Sequence, residues 1–516
     1  MPPKRKDNVA TRQPRGKGRS QRRTVDDNSS SDSAQDGPRR DPFTRINRDV
    51  VVLILHYLSL PDLAAGERVS KGWRATIHWW IAAFGFRTHF PHISWNLQER
   101  SVELFKFQAR QQHGLQSGKP LSTFNVPSTW NITIAGNFLA YLVSPTQNES
   151  FVSWNHRAMS GSTVLRTKAI PLKKVWRVKA GLLDLEMNLD GTLLLRLLES
   201  GKPRARSAVY SPVDDKIVWR QDHRHYDLRS GRPGDLTPLL IGRSVLHCAR
   251  RGSNRDKYDL VGIDFQASEL SVVYESSAVR PTDWPHQKNC RQLVFVGGQH
   301  ELVVLTDNHG RKPTATISIL NGENGQLLFQ VDGGSWPPHY PRDYCLLPYP
   351  NINQISVQSV PDRWRSAVRQ PDVGDHIIVQ TFSFPFTQSE DNPIEIVRLS
   401  TDVVLSPHHC ERIAIQPFAR VAVVMASPSG DAITTYPLVE TKETHLIQRA
   451  EAVLKASFPP NSPTPALRHC FVLQEPGTKL GSLSSPPAPY MLSIEGFVDG
   501  GRLLVGAPPA QILLEF

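Results

Sequence analysis

The chain is 516 residues long, more than one small domain needs, and carries a formal net charge of +12. Nine Lys or Arg against the single acid Asp7 place +8 of that charge in residues 1–25, leaving +4 for everything after. That distribution argues against a basic nucleic-acid-binding face on the folded part. No apolar run approaches the roughly twenty residues a membrane span requires, and the charged start is not followed by a signal-peptide core.

Residues 1–41 have almost nothing able to build a core and are expected to be disordered. Lys4-Arg5-Lys6 and Arg22-Arg23, with Arg15-Gly16-Lys17-Gly18-Arg19 between them, are clusters of the nuclear-import type. They predict a nuclear location, with the cytoplasm as a second compartment. The same runs equally suit a solvated tail, and direct nucleic-acid binding is the weakest of the three readings. The stretch Asp26-Asp27-Asn28-Ser29-Ser30-Ser31-Asp32 offers acceptors for phosphate that would oppose the basic run.

A small helical module is predicted at 42–82. Val50, Val51, Val52, Leu53, Ile54, Leu55, Tyr57 and Leu58 leave almost no polar face, and a helix apolar all round needs burial on every side. About forty residues cannot bury that much alone. The excess must face another protein or the rest of the chain, and Ile54, Leu55 and Leu58 are expected to include residues that only a partner buries. Ser59-Leu60-Pro61-Asp62 reads as a second helix start, with Ser59 as N-cap and Asp62 as capping-box partner. Ser70 caps a third helix carrying Trp73, Ile77, Trp80 and Ile81. The rival reading makes Val50–Leu55 a buried strand, because consecutive valines favour β structure.

This segment resembles an F-box, the motif by which substrate receptors bind the Skp adaptor of SCF-type cullin–RING ubiquitin ligases. The family pattern falls without gaps on Ile46-Asn47-Arg48-Asp49-Val50-Val51, Ile54-Leu55-His56-Tyr57-Leu58, Asp62-Leu63 and Val69-Ser70-Lys71-Gly72-Trp73-Arg74. Asn47 stands where the pattern has proline, and Gly66, Glu67 and Arg68 where the second helix is usually more apolar. The resemblance implies adaptor contacts through Ile46, Val50, Val51, Ile54, Leu55, Leu58, Pro61, Leu63, Val69 and Trp73. It also implies a cullin bound through the adaptor and a protein substrate held elsewhere on the chain. It does not identify that substrate.

Residues 83–120 are read as a helical spacer. A helix is predicted from about 94 to 112, with Trp95, Val102, Phe105 and Phe107 on its apolar side and Gly114 and Gly118 closing it. It would fix the angle between two modules. From 121 to 516 the pattern changes to short β-type runs broken by Gly, Pro, Asn and Asp, and 41 prolines disfavour long helices. The clearest unit has runs at 293–296, 302–306, 316–320 and 326–331, the size of one β-propeller blade. Weaker echoes lie at 192–198, 208–210, 216–219, 260–264 and 270–274.

The fold class is therefore α+β multidomain: a three-helix module, a helical spacer and a large all-β domain read as a propeller of six to eight blades. A pair of β-sandwiches or an irregular all-β domain is the alternative. The runs Leu503-Leu504-Val505 and Ile512-Leu513-Leu514 are expected to close the ring against the region after Thr123, near Ile132–Val143. The order of F-box, spacer and divergent propeller is similar to that of fungal F-box proteins.

Chemistry has little to stand on. There is no P-loop, nucleophile elbow, H-E-x-x-H or dinucleotide fingerprint, so no catalytic residue and no cofactor are assigned. Five cysteines, at 248, 290, 345, 410 and 470, are too widely spaced for a metal knuckle, and His408-His409-Cys410 lacks a second ligand pair. The function expected is substrate recruitment to a ubiquitin ligase. The alternatives are an adaptor-binding scaffold outside ubiquitination and a chromatin-associated propeller with a nucleic-acid-binding tail.

Overall fold

A computed structural model describes residue 43 and residues 45–90, 101–126, 132–143, 150–157, 164–175, 180–199, 205–223, 236–251, 258–267, 271–277, 291–296, 300–307, 316–333, 342–349, 353–361, 376–384, 398–406, 412–417, 419–425, 433–458, 460–461, 463–480, 493–497, 502–507 and 510–515. The basic clusters at 4–23, Trp95 and His408-His409-Cys410 lie outside them.

The chain begins with helices. α1 (Arg48–Tyr57), α2 (Leu60–Gly66) and α3 (Lys71–Trp80) each start at a polar side chain that takes one of the unpaired amides of the first turn. Asn47 accepts from the Asp49 N–H at 3.0 Å, and Ser70 from the Trp73 N–H at 3.0 Å. Ser59 and Asp62 form the reciprocal capping box. The three valines of α1 are helical, because tertiary burial of Val51 outweighs their β preference. A π-turn at Ile81–Gly85 carries the third helix into α4 (Phe86–His89). α5 (Val102–Gln116) follows, capped by Ser101. It starts later and runs further than the expected 94–112.

The described residues after 121 are dominated by antiparallel β-sheet in a propeller-like arrangement. Four sheets of four strands follow in chain order. The first holds Ile132–Ala135, Phe138–Val143, Phe151–Arg157 and Val164–Pro171. The second holds Ala180–Met187, Leu193–Glu199, Ala205–Ser211 and Lys216–His223. The third holds Leu236–Ile241, Val245–Arg251, Tyr258–Asp264 and Ser271–Ser276. The fourth holds Arg291–Val296, His300–Asp307, Thr316–Asn321 and Leu327–Asp332, close to the runs read from sequence. First strands neighbour one another from sheet to sheet, as in a radial stack.

The fifth sheet is larger. Arg342–Tyr349, Gln354–Pro361, His376–Ser383 and Arg398–Leu405 continue, through Leu467–Leu473, into Ile433–Glu440, Val421–Met425 and Arg412–Gln416, with Thr478–Lys479 beside Ile433–Glu440. Leu467–Leu473 runs parallel to Arg398–Leu405 and antiparallel to Ile433–Glu440. Arg468 reinforces the parallel seam by donating to both carboxylate oxygens of Asp402, at 3.0 and 2.6 Å. The body is not all β: a short α6 (Leu172–Val175) and a 14-residue α7 (Thr444–Ser457) interrupt it. α7 buries Ala450, Val453 and Leu454 against Ile378, Val403 and Cys470.

The last sheet closes the body. Ser493–Phe497, Arg502–Ala507 and Ala510–Glu515 take Ser122–Val126 as their fourth strand. Phe124 stands opposite Leu513, and the hairpin ladder runs to Ala507 opposite Ala510. The closing partner is thus Ser122–Val126, which covers the start of the expected region after Thr123, whereas Ile132–Val143 starts the first sheet. Since Ser122 lies beside Glu515, the chain enters the body at the end where first strands turn into second strands.

Candidate functional site

α1 divides its apolar residues between two environments. Val51 and Leu55 turn inward onto Leu63, Ile77, Trp80 and Ile81, and the same core takes Phe86, Phe90, Leu104 and Phe105. Val50, Leu53, Ile54 and Tyr57 turn outward, with exposures of 45%, 59%, 38% and 88%, and Ile46 continues the row at 36%. These positions recur at helical spacing, so they form one stripe. Val69, 62% exposed, adds an apolar residue after α2.

The residues expected to touch an adaptor therefore split. Ile46, Val50, Ile54, Pro61 and Val69 are exposed, Leu58 and Trp73 are half-buried, and Val51, Leu55 and Leu63 are buried by the chain itself. Leu55, at 0% exposure, is core and cannot be a residue that only a partner covers. Leu53 and Tyr57 were missed, although their i, i+3, i+4 and i+7 relation to Val50 was available in the sequence.

The positions that depart from the F-box pattern have local explanations. Asn47 supplies the α1 cap. Gly66 lies against α3, where an added Cβ would come within 2.9 Å of Ile77 Cδ1. Glu67 is half-buried and pairs with His78 at 3.1 Å and with Lys106 of α5 at 2.6 Å, so it ties α2 to two other helices. Arg48 lies over the Trp79 ring at 3.8 Å, which covers an aromatic edge of the module. His89 sits among Trp80, Phe90 and Phe105, and burial, with His56 nearby, pushes its pKa down to about 4.

α5 belongs to both halves of the molecule. Its Leu104 and Phe105 join the helical core, while Leu115 joins the body core of Val421, Leu503, Val505 and Leu514. Gln116 Nε2 donates to the Ala419 carbonyl at 3.2 Å. Gly118 has φ +64 and lies so close to Thr435 and Thr478 that a side chain there would collide. The exposed stripe of α1 is thus carried on a helix bundle packed directly onto the body.

Within the body, polar groups join successive sheets at the turns after their first strands. Trp154 Nε1 donates to the Gly191 carbonyl at 2.9 Å, and Asn188 Nδ2 to the Gly242 carbonyl at 2.9 Å. The next junction is the densest. Fully buried His247 lies between the Tyr274 hydroxyl, 2.7 Å from Nδ1, and the Glu301 carboxylate, which bonds Nε2. The other Glu301 oxygen accepts from the Arg243 N–H at 3.2 Å. A Cβ at Gly242 would overlap the Glu301 carboxylate, and one at Gly262 or Gly325 would overlap the Tyr274 ring. Burial first, then the charge of neighbouring groups, holds the Tyr274 hydroxyl far above the usual phenol range. With His247 fully buried and Tyr274 and Glu301 only 7% exposed, this Tyr–His–Glu row is a buried junction between the third and fourth sheets. It was not readable from sequence, since its members are 27 and 54 residues apart.

Among the described residues no group of three or more His, Cys, Asp or Glu is placed to hold a metal ion. Cys248, Cys345 and Cys470 are free thiols. Among the described residues no helix is long and apolar enough to cross a membrane.

The strand order defines a β-propeller-like body. No family model matches the chain, and no curated protein matches it. Solved structures do resemble it in outline. A prolyl endopeptidase matches with TM-score 0.36 and 12% identity over 73% of this chain and 47% of that one. Hydrazine synthase from Kuenenia stuttgartiensis matches with TM-score 0.32 and 11% identity, over 61% and 78%. A putative 6-phosphogluconolactonase from Bacteroides uniformis matches with TM-score 0.33 and 9% identity, over 60% and 80%. At these scores the likenesses carry no argument about activity.

Proposed function

We propose that the chain is a substrate-recruiting F-box subunit of an SCF-type cullin–RING ubiquitin ligase. In this reading the outward stripe of α1 binds a Skp-type adaptor and through it a cullin, and the β body holds a protein substrate. The chain contributes binding and no chemistry of its own. The observation that carries the reading is the solvent-facing row Ile46, Val50, Leu53, Ile54 and Tyr57 on a helix whose sequence fits the F-box pattern without gaps. Contiguous exposed apolar surface of this kind marks an interaction site. The body is read as seven blades: the five four-stranded sheets, plus two blades in the nine-stranded sheet.

The test is Val50→Asp combined with Ile54→Asp. Both side chains are exposed, so the fold should survive, which an unchanged melting curve would establish. Truncating an interface anchor costs at least about 2 kcal/mol, roughly thirtyfold in affinity, and a charge in its place costs more. Adaptor and cullin should disappear together from complexes purified on the variant. Undiminished adaptor capture by the folded variant refutes the reading, and wild-type capture of adaptor without cullin replaces it with a scaffold outside ubiquitination.

A further inference from the structure

Among the described residues the last strand of the first sheet, Val164–Pro171, has one hydrogen-bonded neighbour, Phe151–Arg157, and an unpaired second edge. The main-chain N–H and C=O groups along that edge are strong, unspent hydrogen-bonding groups. Val164 and Leu165 are 45% and 60% exposed, and Arg166, Thr167 and Ala169 are exposed as well. Both faces of the strand are therefore open over its first half.

Its charge is one-sided. Arg166 and Lys168 lie on one face, and Lys173 and Lys174 follow in α6. The next sheet brings Asp214 and Asp215 to the same place. Asp215 binds Lys168 at 2.7 Å and also bonds Lys174 and the Tyr210 hydroxyl, which holds its carboxyl far below the usual range. Asp214 lies 3.9 Å from Lys216. The acids are thus engaged, while among the described residues Arg166 and Lys173 have no ion-pair partner. The outer strand of the third sheet differs. It also exposes Val272 and Val273, but its Glu275 is paired with Arg250, so that edge carries no excess of one sign.

We propose that the free edge Val164–Pro171 receives an extended acidic peptide as an added strand. The alternation of the strand specifies the partner. Arg166 and Lys168 share one face and Thr167 and Ala169 the other, while Val164 and Leu165 are exposed at a bulge opposite Arg157, so a peptide alternating carboxylate and apolar residues places acids beside the cations and aliphatics beside Thr167 and Ala169. Main-chain bonds supply affinity and the alternating side chains supply choice. This site lies on the rim of the body and is independent of the α1 stripe.

The probe is a fluorescein-labelled ten-residue peptide of alternating Glu and Val, titrated into the full chain and followed by anisotropy, with an alternating Lys-Val peptide as control. The Glu-Val peptide should bind, weaken with added salt, and protect the amides of 164–169 from hydrogen exchange. The Lys-Val peptide should not bind. Arg166→Glu with Lys173→Glu should weaken binding by about tenfold or more while leaving the melting temperature unchanged; Arg166→Gln gives the same direction if the double variant fails to fold. Absence of Glu-Val binding, or equal binding by the charge-reversed chain, overturns the proposal. Binding without protection at 164–169 also overturns it, because the cations would then act only as a surface charge.

Discussion

Deleting residues 502–516 removes the second and third strands of the closing sheet and leaves Ser122–Val126 and Ser493–Phe497 without the strands that join them. Leu503, Val505, Leu513 and Leu514 are each fully buried. At about 1.5–3 kcal/mol per buried aliphatic side chain, the four represent roughly 6–12 kcal/mol, the scale of a whole domain's stability of about 5–15 kcal/mol. The loss should spread, since Leu503, Val505 and Leu514 share their core with Leu115 of α5, Val421 and Ile433. Thermal melting followed by circular dichroism should show the entire β signal lost at a much lower temperature. Leu514→Ala is the graded version, expected to cost about 2–5 kcal/mol. Combined with Leu115→Ala it should be non-additive by about 0.5 kcal/mol or more, because the two side chains line one cluster. A truncated protein that melts with full-length midpoint and cooperativity would refute closure by this sheet, and strict additivity would refute the shared core.

The pKa of His89 falls from 6.5 to about 4 on folding, so between those values the unfolded module binds more protons than the folded one. Module stability is full above about pH 6.5 and declines toward pH 4, by up to about 3 kcal/mol; Trp80 fluorescence against pH should show this, and His89→Phe should flatten the profile. Gly242→Ala should destabilise the body by about 2 kcal/mol or more, because its methyl displaces the Glu301 carboxylate from His247; an unchanged denaturant midpoint would show that the junction carries no stability. Removing residues 1–25 should leave melting unchanged while shifting the protein from nucleus to cytoplasm, and nuclear retention would eliminate the import role of Lys4-Arg5-Lys6 and Arg22-Arg23.

Local signals were legible in the sequence and distant pairings were not. The Ser59–Asp62 capping box and the four strands from 291 to 332 depend on neighbours a few residues away, and the structure places both close to where the pattern put them. The direction of each α1 side chain was less legible. A helix apolar on every side gives no contrast between faces, so Leu55 looked as available as Ile54. Ring closure by the two C-terminal runs falls in the expected region after Thr123, but on Ser122–Val126 and not near Ile132–Val143, and a half-polar strand of five residues gives little local signal of its pairing with Leu513 and Leu514. The strand Leu467–Leu473 pairs with a partner more than sixty residues earlier and in parallel, which no local pattern announces. His247 gave no signal, because its partners come from separate sheets.

Propeller sheets ordinarily meet through side chains, and such contacts can slide or part without breaking main-chain bonds. The seam between Arg398–Leu405 and Leu467–Leu473 is different, because hydrogen-bonded backbone and the Arg468–Asp402 fork cross it. Opening the body at this seam therefore costs main-chain hydrogen bonds in addition to side-chain contacts. A wedge of any kind, whether a ligand, a denaturant molecule or a pulling force, meets a riveted joint here and must open the body elsewhere.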